Sequence, residues 1–389
     1  VTPLRIGVIG GGIAGLTAAV ALRRWGHEPE VYERAPEPRA SGGALIVWSG
    51  ALAALSSLGL ERAVVAAGTL LRSYEFRTWS GEMVTTVPVD EYARRAGHPC
   101  LLIARGSLHG VLEAAAREAA PIHHGMRLAE LEQSNEQVTA RFVGGAERTF
   151  DLVVGADGLH SRTREIVQGA SPLRTGRRTA WLGVVPFDHL LIEPGVAWTS
   201  IGPGIGVLVA GLGGGDVYWY ATVPADSEIH DRDALAALLQ SGHEPIRELV
   251  EATPDDAIVA TPVRDRAPAR PWSAGRVTLI GDSVHPSAPD LGQGACQAIE
   301  SAVSLARHLA PPGTDTSFAL QAYERERFAR CARITALSRG ALVQDMLEQP
   351  MLGETWVPAL RFVLPLGTPD VFRWLLGSAH ETSKHSSQP

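Results

Sequence analysis

Three short stretches of this chain gather residue types suited to holding a phosphate-bearing cofactor. The first, Gly10-Gly11-Gly12-Ile13-Ala14-Gly15, fits G-x-G-x-x-G. Its glycines let a strand turn sharply into a helix, let a pyrophosphate approach the backbone, and let helix and strand pack closely. The N-terminus of the following helix then offers free N–H groups and the positive end of its dipole to an anion. Glu33 stands eighteen residues beyond Gly15, at the end of the next strand pattern, where a carboxylate accepts both hydroxyls of an adenosine ribose. Arg34 follows and can stack on the adenine or hydrogen-bond it. A glutamate favours a free 2′-hydroxyl, so FAD or NAD suits the motif better than NADP.

The second stretch, Gly155-Ala156-Asp157-Gly158, follows the apolar run Leu152–Val154. The third, Gly281-Asp282-Ser283, follows Val277–Ile280 and continues through Pro289 and Leu291 to Gly292-Gln293-Gly294-Ala295, where a helix pattern begins. Other chemistries lack support. There is no nucleophile elbow, triad signature or H-E-x-x-H. Cys100, Cys296 and Cys331 are far apart with no C-x-x-C, so neither a disulfide framework nor a metal site is expected. A second G-x-G-x-x-G in strand–turn–helix context is missing, which argues against a separate nicotinamide domain.

These motifs need strands and helices to position them. The periodicity predicts a strand over Leu4–Ile9, a helix over Leu16–Trp25 and a strand over Glu30–Tyr32, a βαβ-type opening. Further helices are expected at Ala51–Leu58, Ser107–Ala119, from about Gly294, and over Phe318–Met346. Val138–Val143 and Phe150–Val154 read as strands flanking Gly144-Gly145. From about Arg178 to Val223 the texture changes to apolar strands rich in glycine and aromatics, read as an inserted antiparallel sheet. Within it, Pro194 to Gly215 carries no charge, yet its glycines and Pro203 suit two buried strands and a turn better than a membrane helix. Net charge is −7 without a long basic run, which disfavours nucleic acid and anionic membranes as partners. The first residues lack the basic, apolar and cleavage regions of a secretory signal, so a cytoplasmic location is expected.

In this order and spacing, the three motifs resemble those of the group A flavoprotein monooxygenases, which share the para-hydroxybenzoate hydroxylase fold. The likeness spans about Leu4 to Arg339. It implies an α/β fold: a Rossmann-like FAD-binding domain of glutathione-reductase type, an inserted antiparallel substrate sheet and C-terminal helices. The expected FAD domain is discontinuous (1–75, 98–175 and 262–345), the substrate domain covers 76–97 and 176–261, C-terminal helices cover 346–377, and 378–389 is a disordered tail. The resemblance assigns the first motif to the adenosine half of FAD, Asp157 to the pyrophosphate region, and Asp282 to the ribityl–pyrophosphate part. Arg105 would lie near the phosphates, Gly43 and Ala44 beside the flavin, and the Leu128 backbone at the adenine. Pro289 to Ala295 would lie against the isoalloxazine, with Arg266 completing the lead-in to the third motif.

The implied chemistry is reduction of tightly but non-covalently bound FAD by NADPH or NADH. Oxygen then adds at the flavin C4a, and its distal atom passes to a nucleophilic carbon of a small aromatic or polycyclic substrate. Hydroxylation leads over epoxidation and Baeyer–Villiger insertion; a same-fold reductase of isoprenoid double bonds and a non-catalytic FAD-binding protein are the alternatives. Leu182 stands where many relatives carry an arginine, and Cys296 where they carry asparagine. Leu182 can neither hydrogen-bond nor carry charge, so an uncharged substrate of natural-product type is expected. Tyr218 and Tyr220 share one face of a strand and either hold a substrate oxygen or pack in a core; Trp219 faces the other way. Trp181 and Trp198 read as core, and His123-His124 as a surface pair. The protein is expected to be a monomer or a homodimer.

Overall fold

The strand Arg5–Ile9 sits inside a six-stranded sheet, with Ile6 and Val8 fully buried. It pairs in parallel with Glu28–Tyr32 on one side and Leu152–Gly155 on the other. Ile122–His123 and Val277–Leu279 extend the parallel array outward, and Ser273–Ala274 closes one edge antiparallel. Strands covered on both faces read as continuous apolar runs, as Leu152-Val153-Val154 does. The helices Ile13–Arg24, Arg105–Ala119 and Gly294–Leu309 pack together here, and Thr316–Arg339 packs on the last of them. These are the features of a computed structural model that describes residues 3–37, 43–202, 204–310 and 315–339, together with Trp374.

A seven-stranded sheet holds, in order, Val259–Asp265, Arg174–Pro186, Asp216–Pro224, Ile205–Gly213, Val196–Gly202, Ser73–Thr78 and Met83–Val87. All its pairings are antiparallel except that of Val196–Gly202 with Ser73–Thr78. Period-two alternation divides its side chains. Trp181, Trp198 and Trp219 enter an apolar core shared with the helices Arg232–Leu239 and Ile246–Glu251. Tyr218, Tyr220 and Leu182 take the opposite face, Leu182 directly across from Tyr220.

One strand expectation needs correcting. Phe150 and Val154 do not share a strand: Glu147–Phe150 ends a three-stranded antiparallel sheet, whereas Leu152–Gly155 joins the parallel one. Asp151 makes the break, its N–H donating to the Arg5 carbonyl while its carboxylate accepts the Arg5 N–H at 2.7 Å. The expected helices over 346–377, the tail 378–389 and the last residues of the Phe318–Met346 pattern lie outside the described residues, apart from Trp374.

Candidate functional site

A cavity of about 630 Å³ opens over the first motif, walled by Gly11, Gly12, Ile13, Glu33, Arg34 and Arg105. Two glycines fix the turn. Gly10 has φ +112°, and a Cβ there would meet the Ala156 carbonyl oxygen at 2.3 Å. A Cβ on Gly15 would lie 1.9 Å from the Gly10 carbonyl oxygen. Among the described residues nothing lies within 4 Å of that position at Gly12, which precedes the helix Ile13–Arg24 without a side-chain cap. The first-turn N–H groups therefore face open space, as a pyrophosphate requires. The Glu33 carboxylate is fixed at the cavity wall by the N–H groups of Gly11 (2.7 Å) and Ala35 (2.8 Å). These residues fit the adenosine and pyrophosphate of FAD.

The other two motifs are pinned to one another. Ser283 Oγ lies 2.6 Å from the Gly155 carbonyl oxygen, and Arg164 Nη1 donates to the Val284 carbonyl at 3.1 Å. Arg266 donates to the Leu159 carbonyl (3.2 Å) and to the Ser171 hydroxyl (2.9 Å), bracing the loop after the second motif. Asp157 accepts hydrogen bonds from the Ser161 hydroxyl and from Thr163 N–H (3.0 Å), at the start of the helix Arg162–Gln168. Asp282 lies in the turn Gly281–Ser283. Its side chain has open area, yet enough protein surrounds it that desolvation raises its pKa, against the pull of His285 and Arg105. Arg105 thus links the cavity to the third motif. Burial and the Arg327 charge lower the His285 pKa to about 4, so its ring is neutral at pH 7.

At the far end the sheet face meets the loop chain. Gly43 has φ +97°; a Cβ there would lie 2.8 Å from Leu182 Cδ1 and 3.7 Å from Tyr218 Cε2. Ala44 opens the strand Ala44–Val47, paired to Ala104 beside Arg105. Tyr220 packs against Ala180, Val263 and Ala288, the last just before the turn Pro289–Leu291. Gly292 follows in the left-handed region at φ +58°, and Gln293 leads into the helix Gly294–Leu309, whose first turn holds Ala295. Burial raises the pKa of Tyr218 and Tyr220 above the ordinary phenol value. Asp290, in the same turn, is raised to about 6, chiefly by burial, with its own backbone N–H and the Arg178 guanidinium pulling the other way.

Comparison with known proteins agrees with this geometry. The FAD binding domain family matches residues 4–338. The aurachin C monooxygenase/isomerase of Stigmatella aurantiaca is 38% identical over 79% of this chain and 81% of its own length. The FAD-dependent urate hydroxylase of Klebsiella pneumoniae is 31% identical over 91% of this chain and 94% of its own. The chain belongs to the group A flavoprotein monooxygenases. The crystal structure of Klebsiella pneumoniae HpxO complexed with FAD and uric acid superposes with a TM-score of 0.87 at 28% identity, covering 96% of both chains. This monooxygenase is accordingly an FAD-dependent oxidoreductase that uses NAD(P)H and O2, built on the expected α/β fold. Among the described residues no helix is long and apolar enough to cross a membrane.

Of the expected site residues, Gly12, Ile13, Glu33, Arg34 and Arg105 line the cavity, whereas the side chains of Leu128 and Asp157 are engaged elsewhere. Leu128 is buried in an apolar cluster with Tyr32 and Val138, and its neighbour Arg127 lines the cavity instead. Both carboxylate oxygens of Asp157 are taken by its own loop and helix start. The histidine pair is at the surface as expected, with the His123 side chain 39% exposed while stacking on Tyr32 at 4.8 Å; His124 lines the cavity. His109 and Glu113, unnoticed in the sequence, line it too, with His109 Nε2 donating to the Gly11 carbonyl at 3.0 Å. Their signal was available, since Arg105, His109 and Glu113 follow i, i+4, i+8 spacing on one helix face. Arg178 and Asp290 were also missed. Arg178 lies two residues before Ala180 on the Leu182 face and is buried, donating to the Thr222 hydroxyl at 2.7 Å.

Proposed function

We propose that this monooxygenase hydroxylates a small, uncharged aromatic or polycyclic compound held between the Leu182–Tyr218–Tyr220 face of the seven-stranded sheet and the segment Pro289 to Ala295. The observation that carries this reading is the approach of Gly43 to both Leu182 and Tyr218, which brings the expected flavin-side loop against an apolar, aromatic sheet face. The relatives' names support a ring compound, since aurachin C, urate and 3-amino-4-hydroxybenzoate are all cyclic; the absence of charge rests on the residues of this chain alone. Leu182 brings no charge, and the Arg178 charge is opposed by Asp290, so nothing here selects a permanently anionic ring.

In this reading Glu33 and Arg34 hold the adenosine of FAD, with Leu128 supporting the adenine end from behind. Gly10, Gly12, Ile13, Ala14, Gly15 and Arg105 receive the pyrophosphate, and Asp282 takes the ribityl chain. Asp157 acts indirectly, shaping the loop that Arg266 braces. Gly43, Ala44, Pro289, Gly292, Gln293, Gly294 and Ala295 flank the isoalloxazine, their backbone N–H groups favouring negative charge there. Bound FAD supplies electron transfer from NAD(P)H and activation of O2. The protein's part is to orient the ring and keep water away from it.

The division into a discontinuous FAD domain (1–75, 98–175, 262–345) and a substrate domain (76–97, 176–261) belongs to the same proposal, although the strand Ser73–Thr78 crosses its first boundary. So do a cytoplasmic location and a monomeric or homodimeric state. The test is oxygen uptake by the purified yellow protein with NADH or NADPH against a panel of phenols and polycyclic ketones. Substrate-stimulated uptake with a product one oxygen heavier is expected. A product two hydrogens heavier, formed without oxygen, would make the protein a reductase.

A further inference from the structure

Between the helices Gly294–Leu309 and Thr316–Arg339 lies a polar network that none of the expected site residues accounts for. Its centre is Arg327, which is 1% exposed. Burial alone would lower the Arg327 pKa, but Glu300, Cys331 and Tyr323 more than offset it, so the guanidinium stays charged. Its Nη1 donates to the Glu300 carboxylate at 2.8 Å, and Arg330 Nε lies 3.5 Å from the same oxygen. A buried ion pair is a weak source of stability, because desolvating two charges offsets much of their attraction. Two apolar residues would join these helices as well, so the pair invites another explanation.

The other two nitrogens of Arg327 supply it. Nη2 donates to the Gln297 amide oxygen, and Gln297 Nε2 donates to the Gln293 side-chain oxygen at 2.9 Å. Gln293 stands just before the helix Gly294–Leu309, in the segment assigned to the isoalloxazine. Arg327 Nε donates to the Ser301 hydroxyl at 3.4 Å, and Ser301 Oγ lies 3.0 Å from His285 Nε2. His285 closes the turn that carries Asp282: its N–H donates to the Gly281 carbonyl at 2.9 Å, and its ring acts electrostatically on Asp282. One helical turn before Arg327, the Tyr323 hydroxyl donates to the Leu279 carbonyl at 3.0 Å and fixes the strand end that leads into the same turn.

Resting on the cofactor placement above, we propose that Arg327 is a positioning residue for FAD, its fork holding Gln293 at the isoalloxazine and the Asp282 turn at the ribityl chain in mutual register. A planar guanidinium suits this role because its donors leave in fixed directions, which a lysine ammonium does not reproduce. Each branch has its own consequence. Loosening Gln293 lets the helix start turn its N–H groups away from the flavin, which weakens the reduced, more negative form more than the oxidised one. Loosening His285 displaces Asp282, which weakens both forms alike.

The experiment uses the FAD-loaded enzyme and cuts the branches separately, reading FAD affinity by equilibrium dialysis and the flavin midpoint potential against a reference dye. Gln297→Met should lower the potential by about 30 mV, a tenfold loss of preference for reduced FAD, while affinity for oxidised FAD changes by about threefold at most. Ser301→Ala should weaken oxidised FAD about tenfold and leave the potential in place. Arg327→Lys keeps a charge opposite Glu300 and should show both effects at once. A network that only braces the fold would lower the melting temperature of all three variants and move neither quantity. Wild-type affinity and potential in Gln297→Met and Ser301→Ala therefore overturn the assignment, even where Arg327→Lys fails to fold. Asp282→Ala is the reference. If it too keeps wild-type affinity, the cofactor placement falls and takes this assignment with it; if it alone loses FAD, only the role of Arg327 falls.

Discussion

The two ends of the cleft hold their polar groups in opposite ways. At the first motif the backbone satisfies what the fold exposes: Glu33 is gripped by two N–H groups, and the Gly10–Gly15 turn leaves no room for a side chain at either end. At the sheet face, Tyr220 and Asp290 present buried polar atoms that no group among the described residues satisfies. The first end is pre-organised by main-chain geometry, so its failure should remove the cofactor. The second leaves buried polar atoms open at a cost in stability, so on the proposed substrate reading its failure should change selectivity while the fold holds or improves.

The largest expected effect is at the turn itself. Gly15→Ala drives a methyl into the Gly10 carbonyl oxygen, and the purified protein should be colourless, with a melting temperature several degrees lower. A yellow, fully loaded Gly15→Ala protein would break the comparison at its strong end. Asp282→Ala comes next: FAD affinity by equilibrium dialysis should fall roughly 100-fold. Full occupancy after that change would show that the third motif does not hold the cofactor.

At the sheet end the sign should reverse. The pKa of Asp290 is raised to about 6, above the unfolded value near 4, so its contribution to stability is present below about pH 4 and lost as pH rises through 6. Asp290→Asn should therefore stabilise the protein at pH 8, on the order of 3 kcal/mol at most, and do little at pH 4. Thermal melts across that range would test it, and an unchanged melting temperature at pH 8 would show that the carboxylate is not strained. Smallest for the fold is Leu182→Arg, which should leave FAD bound while shifting kcat/KM toward anionic rings by about tenfold.

What was legible in the sequence follows the same division. A glycine demanded by backbone contact shows itself wherever the chain goes, so Gly10, Gly12 and Gly15 announced the turn, and Glu33 was fixed by its distance from them. Asp157 was recognisable as part of a motif, but a carboxylate that caps a helix and one that meets a ligand look alike in one dimension. Asp290, between Pro289 and Leu291, reads as an ordinary turn residue; its burial arises only when the strands bearing Tyr74, Arg178 and Tyr220 come to face that turn. His109 and Glu113 were open to discovery by helical spacing, because Arg105 already marked the face. The strand break at Asp151 was hidden because two apolar runs abut across a single residue.

The alternation of the seven-stranded sheet also bears on how such an enzyme can change over generations. Trp181, Trp198 and Trp219 anchor one side of the strands, while Leu182, Tyr218 and Tyr220, each adjacent in sequence to one of them, take the other. If that face holds the substrate as proposed, a mutation there alters what the enzyme consumes without entering the layer that keeps the sheet folded. Gly43 is the exception, because its room is taken by the Leu182 methyl. Lineages that enlarge one of these two residues must first shrink the other, so the order in which substitutions arrive at this pair constrains which new substrates are within reach.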